Sequence, residues 1–177
     1  MEKAIFAGGC FWCTEAVFQR LKGVEKILPG YTGGTIKNPA YREVCTGRTG
    51  HAEAIEILFN KEEVSFNTLM EIFFATHDPT TFNRQGADIG TQYRSGIFYT
   101  SEEQKEQAED FIRELNDTNY FEDSIVTEIT PFEVFYKAEE DHQDYYNQNL
   151  DQQYCDFTIT PKIEKIKKFF SDKLKEK

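Results

Sequence analysis

A chain of 177 residues with a net charge of −11 and a mean hydropathy of −0.61 has the length of one domain, expected to span 1–177 as a monomer. The charge makes nucleic acid a poor partner, no apolar run reaches membrane-spanning length, and "MEKAIFAGGC" lacks the charged start and apolar stretch of a signal peptide, so a cytoplasmic protein is expected. The four cysteines, Cys10, Cys13, Cys45 and Cys155, are too few for a secreted disulfide scaffold and suggest reactive or metal-bound thiols instead.

"AIFAGG" reads as a short buried strand ended by glycine, and "CTEAVFQRLKG" as a helix with Val17 and Leu21 on one face. Cys10 and Cys13 then lie at a strand-to-helix turn. "HAEAIEILFN" alternates as a strand with Ile55, Ile57 and Phe59 on one side, and Glu53 shares their parity. "SFNTLMEIFFA" is a helix behind Ser65, and the 19 residues "HDPTTFNRQGADIGTQYRS" have no period, the mark of a functional loop. "GIFYT" and "SIVTEI" are strands. Between them "SEEQKEQAEDFIREL" forms a helix with a Ser101 to Gln104 capping box and Ala108, Phe111, Ile112 and Leu115 on its apolar face. Residues 162–177 hold seven Lys, and Ile163, Ile166, Phe170 and Leu174 recur at helical spacing, which predicts a basic amphipathic helix docked on the domain. Strands interleaved with helices predict an α/β (α+β) fold, a compact two-layer sandwich with its sheet covered by helices.

Cys10 at the start of a helix meets unpaired backbone N–H groups and the positive end of the helix dipole, which favour the nucleophilic thiolate. Gly8 and Gly9 allow close approach, and Phe11 and Trp12 wall an apolar slot beside the sulfur. The same residues also read as buried cysteines among core aromatics, as a zinc knuckle lacking its second close pair, or as a disulfide-exchanging C-x-x-C. Exchange leaves Glu53 without a task. A carboxyl on an apolar strand face resists ionisation and keeps a proton to donate, unless it bends to water or pairs with an Arg.

The blocks "GGCFWCTEAVF", "GYTGG", "NPAYREVCTGRTGHAEA", "HDPTTFNRQGADIGTQYRSGIFY" and "DHQDYY", in that order, resemble the peptide methionine sulfoxide reductase A family from about Gly8 to Phe170. The resemblance implies a mixed-sheet sandwich with a ferredoxin-like core and reduction of the S epimer of methionine sulfoxide, free or in proteins, without cofactor or metal. Thioredoxin is the implied reductant. By motif position Cys10 matches the nucleophile, Phe11 and Trp12 the methyl-binding aromatics, and Glu53 the acid at the sulfoxide oxygen. Tyr41, Asp88 and Tyr93 match its hydrogen-bonding and positioning residues, with Tyr145 a further member.

The implied chemistry leaves Cys10 as a sulfenic acid that a second thiol converts to a disulfide. Cys155, in a segment that looks mobile, is the expected resolving thiol, and Cys13 is the runner-up or a relay. The chain departs from many relatives in having Cys13 where they have Gly and Asp141 where they have Tyr, and in lacking a second C-terminal cysteine. Cys45 reads as a small core residue, and His51, His77 and His142 as structural hydrogen-bonders.

Overall fold

A computed structural model describes residues 1–175. Strand β1 (Glu2–Gly8) leads into helix α1 (Phe11–Phe18) and β2 (Val24–Thr32), followed by α2 (Tyr41–Cys45), β3 (Ala52–Phe59) and α3 (Phe66–Thr76). The long loop holds a small ladder of β4 (Arg84–Gln85) and β5 (Asp88–Ile89) before β6 (Ser95–Tyr99). Helix α4 (Glu102–Asp117), β7 (Glu128–Pro131), β8 (Phe135–Lys137), the single turn α5 (Tyr145–Gln148) and α6 (Thr160–Phe169) complete the order.

Six strands form one sheet in the order β7-β6-β1-β3-β2-β8. β1 is antiparallel to β3 and β6, β2 is antiparallel to β3 and β8, and β6 and β7 run parallel. The result is the mixed sheet with helices that the sequence predicts. Its core is aromatic. Phe6 of β1 is fully buried, with its ring 5.7, 5.8 and 4.7 Å from those of Phe18, Phe66 and Phe73. Phe6→Ala is expected to cost about 3–5 kcal/mol, measured by urea denaturation, because α1 and α3 lose their shared contact.

On β3 the predicted parity holds, with Glu53, Ile55, Ile57 and Phe59 all buried. Ala52 and Ala54 are buried as well, on the opposite face, in a second cluster with Ile5, Ala7 and Phe98. Glu53 therefore lies in a stretch covered on both sides.

Three local expectations are corrected. The strand expected at 124–129 forms at Glu128–Pro131, because the Ile125 and Val126 N–H groups are taken by Asn116 Oδ1 and Pro79 O. The capping box is half made: Ser101 Oγ accepts the Gln104 N–H at 3.2 Å, but Gln104 Oε1 accepts from Thr100 rather than Ser101. The C-terminal helix covers Thr160–Phe169 instead of 162–177. Beyond it Ser171–Lys173 make a tighter turn, and the backbone then pairs with the chain near Leu21 through Lys22 N–H to Lys173 O and Lys175 N–H to Arg20 O. Residues 176 and 177 of the expected helix lie outside the described residues. No described helix is long and apolar enough to cross a membrane.

Candidate active site

The turn between β1 and α1 places Cys10 at the N-cap of α1 in an extended conformation. Gly9 reaches it at φ +89°, and a Cβ there would stand 2.6 Å from the Gln85 side chain, so the turn needs glycine on both counts. Across the sheet the Glu53 carboxyl meets the same turn. Its Oε1 accepts the Phe11 N–H at 3.1 Å, while Oε2 is buried without a protein partner. Glu53 is 1% exposed, and burial pushes its carboxyl up to about 8 against the lowering effect of the Phe11 N–H. The carboxyl keeps its proton at neutral pH.

Phe11 is buried, with its ring 5.6 Å from Tyr31, 6.4 Å from Tyr41 and 5.4 Å from His142. Trp12 stacks face to face on Tyr145 at 3.7 Å, and Tyr154 meets it edge-on. The Tyr145 hydroxyl is turned away to Gln152 Oε1. Tyr41 sits at the start of α2 with its N–H on Glu139 Oε2, and Tyr93 ends the short turn Thr91–Tyr93 after β5. Burial, then the charge that Glu53 takes on once it ionises at higher pH, pushes both phenols upward, so both remain hydrogen-bond donors. Asp88, on β5, accepts the Tyr154 hydroxyl at 2.8 Å.

The thiols depart from expectation in two ways. Cys10 does not rest as a thiolate. Burial, the hydrogen bond to Cys13 and the nearby Glu53 raise its thiol well above the ordinary value, outweighing the Trp12 N–H that lowers it. Cys13, which accepts from Cys10, is held down to about 7. The pair thus shares a proton that sits on Cys10. Cys155 is not in an open mobile segment but fully buried, in a wide-turned helical stretch, Cys155–Ile159, that runs into α6. It shares one apolar cluster with Cys10, Cys13, Tyr146, Ile159 and Ile163, and burial and the charge of Cys13 both raise its thiol. All three sulfurs are free. Cys45 is exposed, contrary to its reading as a core residue, because Val44 takes the inward position on α2.

His51 and His77 bond to backbone, His51 to Gly34 and Ile36 and His77 to Phe73 O. His142 instead contacts the site, its Nδ1 accepting the Trp12 indole N–H at 3.1 Å. Tyr154 was also missed. Its hydroxyl lies 3.6 Å from Cys13 Sγ as well as on Asp88. The sequence signals for both were present, His142 in "DHQDYY" and Tyr154 directly before Cys155. The cavity of about 610 Å³ lined by His77, Asp78, Gln85 and Lys162 lies behind the glycine turn, and neither Cys10, Glu53 nor Trp12 is in its walls. The convergent groups therefore mark the site, not that cavity.

A protein-family model described as peptide methionine sulfoxide reductase matches residues 2–174. Peptide methionine sulfoxide reductase MsrA of Deinococcus radiodurans is 53% identical over 98% of this chain and 84% of its own length, and that of Saccharolobus solfataricus 52% identical over 99% and 98%. Among solved structures, reduced Mxr1 from Saccharomyces cerevisiae has a TM-score of 0.81 at 33% identity, covering 87% of this chain and 88% of its own. Mxr1 from the same yeast, in complex with Trx2, has a TM-score of 0.58 at 25% identity, covering 81% and 84%. Likeness of this extent, in sequence and in fold together, means that the chain belongs to the peptide methionine sulfoxide reductase family and is an oxidoreductase that reduces methionine sulfoxide.

Proposed function

We propose that the chain reduces the S epimer of methionine sulfoxide, free or in proteins, through a sulfenic acid on Cys10. The observation that carries this reading is the buried Glu53 carboxyl that accepts the Phe11 N–H at 3.1 Å beside the Cys10 thiol, an environment that favours its protonated form. Cys10 sulfur attacks the sulfoxide sulfur as its proton passes to Cys13, the low-lying thiol of the pair. Glu53 gives its proton to the sulfoxide oxygen, since an unprotonated oxide is a poor leaving group. The S–O bond breaks as hydroxide leaves, giving a Cys10–S–S⁺ sulfonium. That hydroxide, or a water, then attacks the Cys10 sulfur, and the S–S bond breaks with its electron pair going to the substrate sulfur. That sulfur gains two electrons, Cys10 sulfur loses two, and methionine and Cys10–SOH remain. Tyr41 and Tyr93 stabilise charge on the oxygen as donors, Phe11 and Trp12 take the S-methyl group, and Asp88 and Tyr145 position the substrate beside them.

The sulfenic acid then condenses with a thiol to give a disulfide and water. Cys13 accepts the Cys10 hydrogen bond and Cys155 lies in the same buried cluster, which supports a sequence of Cys10 to Cys13 first and Cys13 to Cys155 second, with Cys13 as the relay. Thioredoxin reduces the final disulfide, a reading supported by the yeast Mxr1 solved in complex with Trx2.

The functional test is racemic methionine sulfoxide with dithiothreitol or thioredoxin as reductant. Consumption of one epimer only is expected, and reduction of neither sinks the reading. Recycling is tested by peptide mapping after one turnover without reductant. Wild type is expected to hold Cys13–Cys155, Cys155→Ser to stop at Cys10–Cys13, and Cys13→Ser to lose most thioredoxin-linked turnover. A direct Cys10–Cys155 bond with full turnover in Cys13→Ser would remove the relay.

A further inference from the structure

We infer that His142 is the positioning residue that fixes the orientation of Trp12. The inference rests on the reading of Trp12 as a wall of the methyl slot. The indole has one polar hydrogen and no acceptor, so the 3.1 Å contact between Trp12 Nε1 and His142 Nδ1 has a single polarity. Trp12 donates and Nδ1 is unprotonated, which leaves the proton of the neutral imidazole on Nε2.

Stacking alone does not fix Trp12. Tyr145 covers one face at 3.7 Å and 6°, which sets the plane of the indole but leaves rotation within that plane free. The directional bond to Nδ1 removes that freedom. His142 is itself well held. It is 7% exposed, its backbone N–H closes the turn Glu140–His142 on Glu139 O at 2.9 Å, and its ring lies 4.3 Å from Tyr41 and 5.4 Å from Phe11. Glu139 fastens that turn to the sheet by accepting the Tyr31 hydroxyl at 2.9 Å and the Tyr41 N–H at 3.0 Å. The imidazole is packed between Phe11 and Tyr41, which hold it in place, and its one directional bond goes to the indole.

The chain has one Trp, so the indole N–H gives a single resonance in an isotope-labelled sample. His142→Asn keeps an acceptor near the position of Nδ1, whereas His142→Leu keeps apolar bulk without one. Slow indole exchange is expected in wild type and His142→Asn, and exchange about tenfold faster in His142→Leu. In the same variant kcat/KM for methionine sulfoxide is expected to fall about 10- to 10²-fold, chiefly through KM, with most of the loss restored by asparagine. Adding His142→Leu to Trp12→Phe is expected to cost nothing more, because the effect passes through the indole. His142→Gln, whose acceptor lies one bond too far out, gives the same test if the leucine variant does not fold. Unchanged indole exchange in His142→Leu, or kinetic losses that simply add to those of Trp12→Phe, would overturn the inference. A wild-type enzyme that consumes no sulfoxide would bring down the functional reading instead, and indole exchange would still decide whether His142 holds Trp12.

Discussion

Cys10→Ser is expected to lower single-turnover reduction of methionine sulfoxide by roughly 10⁴- to 10⁶-fold, the scale seen when a nucleophile is removed from its constellation. The serine hydroxyl holds its proton far more tightly than a thiol, and the groups beside this position that could take it are the Cys13 thiolate, held down to about 7, and the Glu53 carboxyl, pushed up to about 8. Cys13 can take the Cys10 thiol proton only as the bond to the substrate sulfur forms, since that thiol is itself held high, and neither group is a strong enough base for an alcohol. Cys13 is a poor substitute nucleophile because its sulfur already faces the Tyr154 hydroxyl at 3.6 Å. The substitution is close to isosteric, so stability should stay within about 1 kcal/mol. Rapid-quench chromatography of the methionine formed checks the rate, and urea unfolding checks the fold. Substantial methionine formation by a folded variant would remove Cys10 from the chemistry.

Glu53→Gln is expected to slow the reductase step by about 10²- to 10⁴-fold and to change its pH profile. In wild type the carboxyl must be protonated, and burial holds it up to about 8, so the single-turnover rate should fall as pH rises through that value. The acid limb comes from Cys13, which must be free to accept the Cys10 proton and titrates at about 7. Glutamine keeps the acceptor for the Phe11 N–H but has no proton to give, so the alkaline limb should vanish while the acid limb persists. Stability gives an independent readout. Because the folded protein binds this proton more tightly than the unfolded chain, the stability it contributes is full below the ordinary value of 4.5 and is lost as pH rises toward about 8. Glu53→Gln should therefore be more stable than wild type above pH 8, and a variant that loses stability there, or keeps its alkaline limb, would contradict this account.

Much of this arrangement was legible in local pattern. The alternation along "HAEAIEILFN" gave the direction of Glu53, because strand parity needs no knowledge of the partner strands. The same run could not reveal that Ala52 and Ala54 are covered from the other face, since alanine occurs readily inside or outside. The helix dipole at Cys10 was legible too, but burial and the Cys13 contact, which override it, arise only when the chain is packed. His142 reads as a structural hydrogen-bonder, but its partner, like those of Tyr154, is remote in sequence, so no local pattern shows that either residue reaches the site. Trp12 is 130 residues from His142, and Asp88 is 66 from Tyr154. The last helix ends before its sequence pattern does for a similar reason: the spacing of Phe170 and Leu174 continues the pattern, yet the backbone there is captured by the segment around Leu21.

The two margins of the sheet bear on how such an enzyme survives its own clientele. Oxidised proteins offer their methionines on loosened, extended chains, which tend to add themselves to any open strand. Here one margin is β7, four residues ending in Pro131, and the other is β8, three residues ending in the exposed Lys137. Neither is long enough, and the proline lacks the N–H, to template a visiting chain. With the reduction proposed above acting on protein-bound methionine sulfoxide, a visiting chain would find at the flanks of this sheet no long strand to extend.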